Sequence, residues 1–279
     1  MAHRSAFRQL LRDPMAVAGL VGLGLIAGLA ALAPLLFPGD PLDMVAQPFL
    51  WPGADPEHPL GTDLLGRDIA AGIAHGARVS VLIGFASTAI GILAGTLVGA
   101  LAGYLGGRAD DLLARATEVV QTFPAFLLVV VLVAIAGPNV LTITLAIGGV
   151  SWPTIARMVR AEFRSLRQRD FIVAAEGLGY GHARIILAEM LPNALPPVVV
   201  TASVMVATAI LNEAALAFLG LGDPNLVSWG SMIGAGRDQL RTAWYLVGIP
   251  GVALVIAVLA LNLLGEALTD ALDPRARTA

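Results

Sequence analysis

Cysteine and lysine are both absent from the 279 residues, and charge of either sign is scarce. Without cysteine there is no disulfide framework, no thiol nucleophile and no thiolate-ligated zinc, although the compartment stays open. Every one of the 17 basic residues is arginine, which we read as base-composition bias and not as function. Charged residues make up 13% of the chain against 57% hydrophobic, and the mean hydropathy is +0.81. A soluble globular chain carries about 25% charged residues. So little charge cannot cover a water-facing surface, and lipid must cover much of this one. That excludes an ordinary cytosolic enzyme and a disordered chain. A net charge of −3 leaves no basic stripe for nucleic acid, so no nucleic-acid partner is expected.

What is present is a series of long uncharged runs. About 18 such residues suffice to cross a bilayer as a helix. The runs are Met15–Phe37, Val79–Gly107, Val119–Ala136, Val140–Ala156, Met190–Asn212 and Thr242–Gly265. Gly137-Pro138-Asn139 divides the third from the fourth and predicts a helical hairpin. The expected fold is all-α and membrane-integral, with six transmembrane helices. The first run is too long for a signal-peptide core and lacks a small-residue cleavage site, so it reads as an uncleaved helix.

Arginine placement orients the chain. With the N-terminus inside, Arg4, Arg8, Arg12, Arg108, Arg115, Arg157, Arg160, Arg164, Arg167, Arg169, Arg184, Arg275 and Arg277 are cytoplasmic. Only Arg67, Arg78, Arg237 and Arg241 are outside, and both termini come out cytoplasmic. The first outer loop carries Asp40, Asp43, Asp55, Glu57, Asp63 and Asp68 against Arg67 alone. The organisation expected is residues 1–78 as first helix and acidic outer loop, 79–273 as a five-helix core, and 274–279 as a cytoplasmic tail.

Gly91, Gly95, Gly99 and Gly103 recur at four-residue spacing and predict a stripe where another helix backbone approaches closely. Trp152, Trp229, Trp244 and Tyr245 fall at or near span ends, as an aromatic belt would place them. The inner segment from Arg157 to Glu189 reads as a helix over Asp170–Gly179 with a glycine C-cap, then a second helical stretch from His182. Such a helix–Gly–helix suits either a cytoplasmic docking surface or an amphipathic connector.

That segment also carries a resemblance. Phe171-Ile172-Val173-Ala174-Ala175-x-x-x-Gly179, with Ile185-Ile186 and Leu191-Pro192-Asn193, is similar to the EAA loop of binding-protein-dependent ABC importer permeases. Leu60-Gly61-Thr62-Asp63-x-x-Gly66-Arg67-Asp68 resembles the C-type permease subunit of dipeptide, oligopeptide and nickel importers. So do Ala102-Gly103-Tyr104-x-Gly106-Gly107, Glu213-Ala214-Ala215-Leu216-x-Phe218-Leu219-Gly220 and Ser228-Trp229-Gly230-Ser231-Met232. Val173 stands where the first Glu of the EAA name would be.

The resemblance implies a coupling loop between helices 4 and 5, with Ala174, Ala175, Gly177, Gly179 and Arg184 at the ATPase. It implies a second, B-type permease subunit, two ABC ATPase subunits and an extracytoplasmic substrate-binding protein, in a bacterial or archaeal cytoplasmic membrane. No cofactor is expected in this chain. ATP and Mg would be bound by the ATPases, because no P-loop occurs and none is available without lysine. Peptide cargo is expected, with nickel chelate or oligosaccharide as alternatives.

Few residues are candidates for chemistry. Glu213, beside Asn212, is the one acid within a span, and two roles are open to it. It meets cargo in the pore, or it accepts hydrogen bonds at a helix interface, the reading we favour. Asp63, Arg67 and Asp68 suit a binding-protein contact, or turn and cap positions with an internal ion pair. Gly220-Leu221-Gly222-Asp223 formally matches an intramembrane aspartyl protease, but no second intramembrane Asp exists to face it. A self-sufficient secondary transporter would need more intramembrane polar groups than Glu213.

Overall fold

In a bilayer every backbone N–H and C=O must be satisfied within the protein, so uncharged runs become helices and their ends fall where a cap is available. A computed structural model describes residues 13–272. The expected tail at 274–279, and Arg4, Arg8, Arg12, Arg275 and Arg277, lie outside these residues.

The first helix, α1 (Pro14–Leu36), starts on Asp13, whose carboxylate accepts from the Met15 amide. Helix α2 (Ile69–Leu105) begins ten residues before its uncharged run, because Asp68 caps it through the Ala70 amide. At about 1.5 Å per residue its 37 residues span about 55 Å, well beyond the bilayer core. It therefore crosses the boundary expected at residue 78.

The third run does not form one straight span. Helix α3 (Gly107–Thr122) and helix α4 (Ala125–Ala136) meet at Phe123-Pro124 with an 81° bend. Proline at 124 removes a donor and disfavours helical geometry at Phe123, which ends α3 there. Helix α5 (Val140–Leu166) follows the expected break, with Asn139 and Thr142 forming a reciprocal cap.

Helix α6 (Asp170–Gly177) is short. Helix α7 (His182–Phe218) runs continuously through Pro192, Pro196 and Pro197. It contains a wider π turn at Ile185–Met190, a form that absorbs irregular backbone pairing. Helix α8 (Trp229–Gly236), not expected from the sequence, starts on a Ser228–Ser231 capping box. Helix α9 (Tyr245–Leu272) is the last. Five of these helices are long and apolar enough to cross a membrane, and the bent α3/α4 pair makes a sixth if counted as one span. Among the described residues only two isolated β-bridges interrupt this helical architecture.

The α2/α5 seam is the most extensive helix–helix contact among the described residues. A Cβ at Gly99 would sit 2.5 Å from the Ala156 carbonyl oxygen, and one at Gly103 would sit 2.7 Å from that of Arg160. Gly148 of α5 meets the Ser87 carbonyl in the same way from the other side. The four-residue glycine spacing is thus a backbone-to-backbone contact. Elsewhere, Ala16 packs with Ala267 and Ala271, so the described ends of α1 and α9 lie together.

Two of the aromatic residues expected in a lipid belt are core residues. Trp229 is buried and its indole donates to the Ile73 carbonyl at 3.0 Å. Tyr245 is buried beside Trp51 and donates to the Thr62 carbonyl at 3.3 Å. Both tie the outer loop and α8 to the bundle, a polar tether that position along the chain does not reveal. Trp244 is exposed and remains compatible with a belt.

Replacing Gly99 by valine is expected to destabilise the chain by about 1–3 kcal/mol through overpacking against α5. Gly149, whose Cβ direction is open, should accept valine with little change. Thermal unfolding of the detergent-solubilised chain compares the two, and equal losses would refute the seam.

Candidate functional site

Helix α6 is two-sided. Ile172 and Ala175 are buried in a core with Tyr104, Phe163, Ile185 and Met190. Phe171, Val173 and Leu178 are 44%, 58% and 73% exposed, and Ala174 is exposed beside them. Of the residues expected at a partner surface, Ala174, Gly177 and Gly179 therefore face outward, whereas Ala175 points into the chain's own core. The helix ends by the Gly179 amide donating to Glu176 and the Tyr180 amide donating to Ala175. Gly179 adopts φ +77, a conformation that glycine takes at no steric cost, and a side chain there would meet nothing in this chain. Arg184 lies with its guanidinium 3.9 Å from the Tyr180 ring centroid.

Both flanks of this segment are fastened to one residue. Arg167 donates to the Tyr104 carbonyl at 2.7 Å, and His182 Nδ1 lies 2.6 Å from the Tyr104 hydroxyl. Nearby, Asp110 on α3 is buried and forms a two-point ion pair with Arg160 of α5, with Arg164 at 3.9 Å. Sequence reasoning missed this pair. Its one local signal is the spacing of Arg160 and Arg164, which places both on one face of α5.

At the opposite end, residues 38–68 fold over the bundle. Thr62 is buried, accepting from the Leu50 amide and donating to the Gln47 carbonyl. Asp63 accepts from the amides of Leu65 and Arg67, and Asp68 caps α2 while its other oxygen lies 3.3 Å from His58 Nδ1. The two acids are thus turn and cap residues. The expected internal ion pair with Arg67 is not formed; the side chain beside the Asp68 carboxylate is His58. Arg67 Nε is buried without a hydrogen-bond partner. Its side chain lines a cavity of about 170 Å³ together with Leu64, Leu226, Val227 and Met232. Asp223 accepts from the Val140 amide at 3.1 Å and from Asn225, so it anchors the start of α5.

Glu213 is 2% exposed, between α2, α7 and α8. Ser80 donates to its carboxylate at 3.1 Å and itself accepts from the Trp229 amide at 3.4 Å. The carboxylate thus sits near the N-terminus of α8, where the helix dipole favours negative charge. Asn212, half-buried, does not share these contacts.

Long apolar helices, a bent helix pair and an exposed short helix between spans define a multi-pass helical membrane protein. Residues 95–278 match the family of binding-protein-dependent transport system inner membrane components, and residues 3–53 match the N-terminal transmembrane domain of oligopeptide transport permease C. The chain belongs to the binding-protein-dependent transport system inner membrane component family. It is 39% identical over 270 residues to the di/tripeptide transport system permease protein DppC of Pseudomonas aeruginosa, covering 95% of this chain and 89% of that one. It is also 39% identical over 277 residues to the oligopeptide transport system permease protein OppC of Escherichia coli K12, covering 98% and 91%. In fold it is similar to a chain of the inward-facing MetNI methionine ABC transporter, with TM-score 0.58 and 19% identity over 72% of this chain and 97% of that one.

The geometry at Glu213 makes its two readings separable by substitution. Glu213→Gln keeps an acceptor for Ser80 and should assemble and transport. Glu213→Leu strands the Ser80 hydroxyl and should cost about 1–3 kcal/mol of stability. Transport and thermal unfolding measured on both variants decide it: an intact, assembled Gln variant without transport would establish a pore role instead.

Proposed function

We propose that this chain is the C-type permease subunit of an ATP-driven peptide importer in a bacterial or archaeal cytoplasmic membrane. It would form half of the translocation pore beside a B-type permease. Two ABC ATPases would dock at the α6 end, and a substrate-binding protein would dock at the loop end. Peptide cargo rests on the names of the relatives, which are peptide permeases. ATP and Mg belong to the ATPases, and this chain supplies the lever. We count six spans, taking α3/α4 as a bent third one, and place both termini inside by arginine distribution.

The observation that carries the reading is the two-sided α6. An eight-residue helix cannot hold itself in place. Ile172 and Ala175 seat it, and Phe171, Val173, Ala174 and Leu178 are left exposed as apolar residues beside the exposed acids Asp170 and Glu176, with arginines on either side. Water does not favour such a face, and its position beyond the spans points to a protein partner instead of lipid. Gly177 and Gly179 leave room for that partner's backbone. At the loop end Asp63 and Asp68 are spent on local structure, which leaves Arg67, on the lining of the cavity there, as the remaining candidate for the binding-protein contact.

Leu178→Glu places a carboxylate in the proposed apolar contact. It should weaken ATPase association at least roughly tenfold, equivalent to about 1.4 kcal/mol, in co-purification of the complex. Gly179→Arg fills the open side of the turn and should abolish binding-protein-stimulated ATP hydrolysis while the chain still inserts. Wild-type association of Leu178→Glu and normal stimulated turnover of Gly179→Arg would sink the assignment.

A further inference from the structure

Residues Arg167 to His182 form a segment that begins and ends on a single residue at the tip of α2, at its backbone carbonyl and at its hydroxyl. Arg167 reaches the Tyr104 carbonyl and lies 5.8 Å from the ring centroid, while His182 meets the Tyr104 hydroxyl in an edge-on arrangement. Tyr104 is buried at 5% exposure among Ile172, Ala175 and Ile185. The same helix runs without a break to Ser80, where it meets Glu213 and the start of α8 at the far end. A buried tyrosine hydroxyl needs a partner, and here it has one on the segment that follows α6.

We propose that Tyr104 is the positioning residue through which a displacement of α6 reaches α2, with the Tyr104–His182 hydrogen bond as its link. The inference rests on α6 being the ATPase-docking element. Apolar contacts between α6 and its seat are non-directional and permit sliding, whereas a short hydrogen bond is directional and transmits a pull. Two tethers on one residue convert any tilt of the 167–182 segment into a displacement of the α2 tip. The glycine seam then carries α5 along with α2. The bond forms whichever ring nitrogen of His182 holds the proton, because the hydroxyl both donates and accepts.

The chain's lack of cysteine permits a direct test. Spin labels at Leu97→Cys on α2 and Leu259→Cys on α9, both exposed positions, report the α2–α9 distance in the full reconstituted complex. The comparison is nucleotide-free against ATP–vanadate-trapped. The parent should show a shift in the distance distribution, and Tyr104→Phe and His182→Ala should lose it while the complex stays assembled. His182→Asn, whose amide can donate or accept, should regain it. A shift of parental size in Tyr104→Phe, no shift in the parent, or no recovery in His182→Asn would overturn the proposal. Leu178→Glu is run in parallel. If it still retains the ATPases, the docking reading has failed; if it loses them while Tyr104→Phe moves like the parent, the link alone has failed.

Discussion

The backbone contact between α2 and α5 is the constraint on which the rest of the molecule depends. Lipid tails are as apolar as leucine, so helices in a bilayer gain little by hiding apolar side chains from it. They gain by close approach, which needs positions without side chains. Gly91, Gly95, Gly99 and Gly103 supply four on α2, and Gly148 answers from α5. The seam fixes the register of the two helices over much of their length. That register sets Tyr104 near the segment that follows α5, while farther back on α2 Ser80 meets Glu213 of α7.

With helix packing settled by backbone contact, the few polar groups within the bundle are free to act as pins between elements. Some, such as Ser87 and Thr117, bond only within their own helix, but three join parts of the chain that packing alone would let slide. Asp110 with Arg160 holds α3 to α5, Ser80 with Glu213 holds α2 to α7, and Asp223 holds the 219–228 turn to the start of α5. Breaking such a buried pair costs more than making it contributes, because the remaining partner is left unsolvated. Scarcity of charge therefore does not mean that charge is unimportant here. It concentrates the cost of any single polar substitution at a few addresses.

How much of this was legible in the sequence follows from the range over which each signal acts. Five of the six uncharged runs, the break before Asn139, the glycine spacing and the Gly179 turn are local patterns that the structure contains, while the third run is split at Pro124. Helix ends were less legible, because a cap such as Asp68 or Ser228 extends or creates helix outside an apolar run. Pro124 is a local signal and its 81° bend was readable in principle. The preceding uncharged stretch concealed it. The burial of Trp229 and Tyr245 and the ion pair at Asp110 were not readable at all. Each joins residues far apart in the chain, and a single sequence holds no record of such pairings.

The same distinction explains why the two ends of the bundle are built differently. The loop end is stitched by backbone hydrogen bonds around Thr62, so residues 38–68 form a cap in which most polar groups are already committed. The α6 end has few such bonds: a short helix seated by Ile172 and Ala175 and tethered at its flanks. A surface that receives a soluble protein without moving favours the first construction, and a surface that must move with its partner favours the second. A continuous α2 connects the seat of α6 to the committed cap, so under the proposed docking a displacement at α6 would reach the loop end through that one helix.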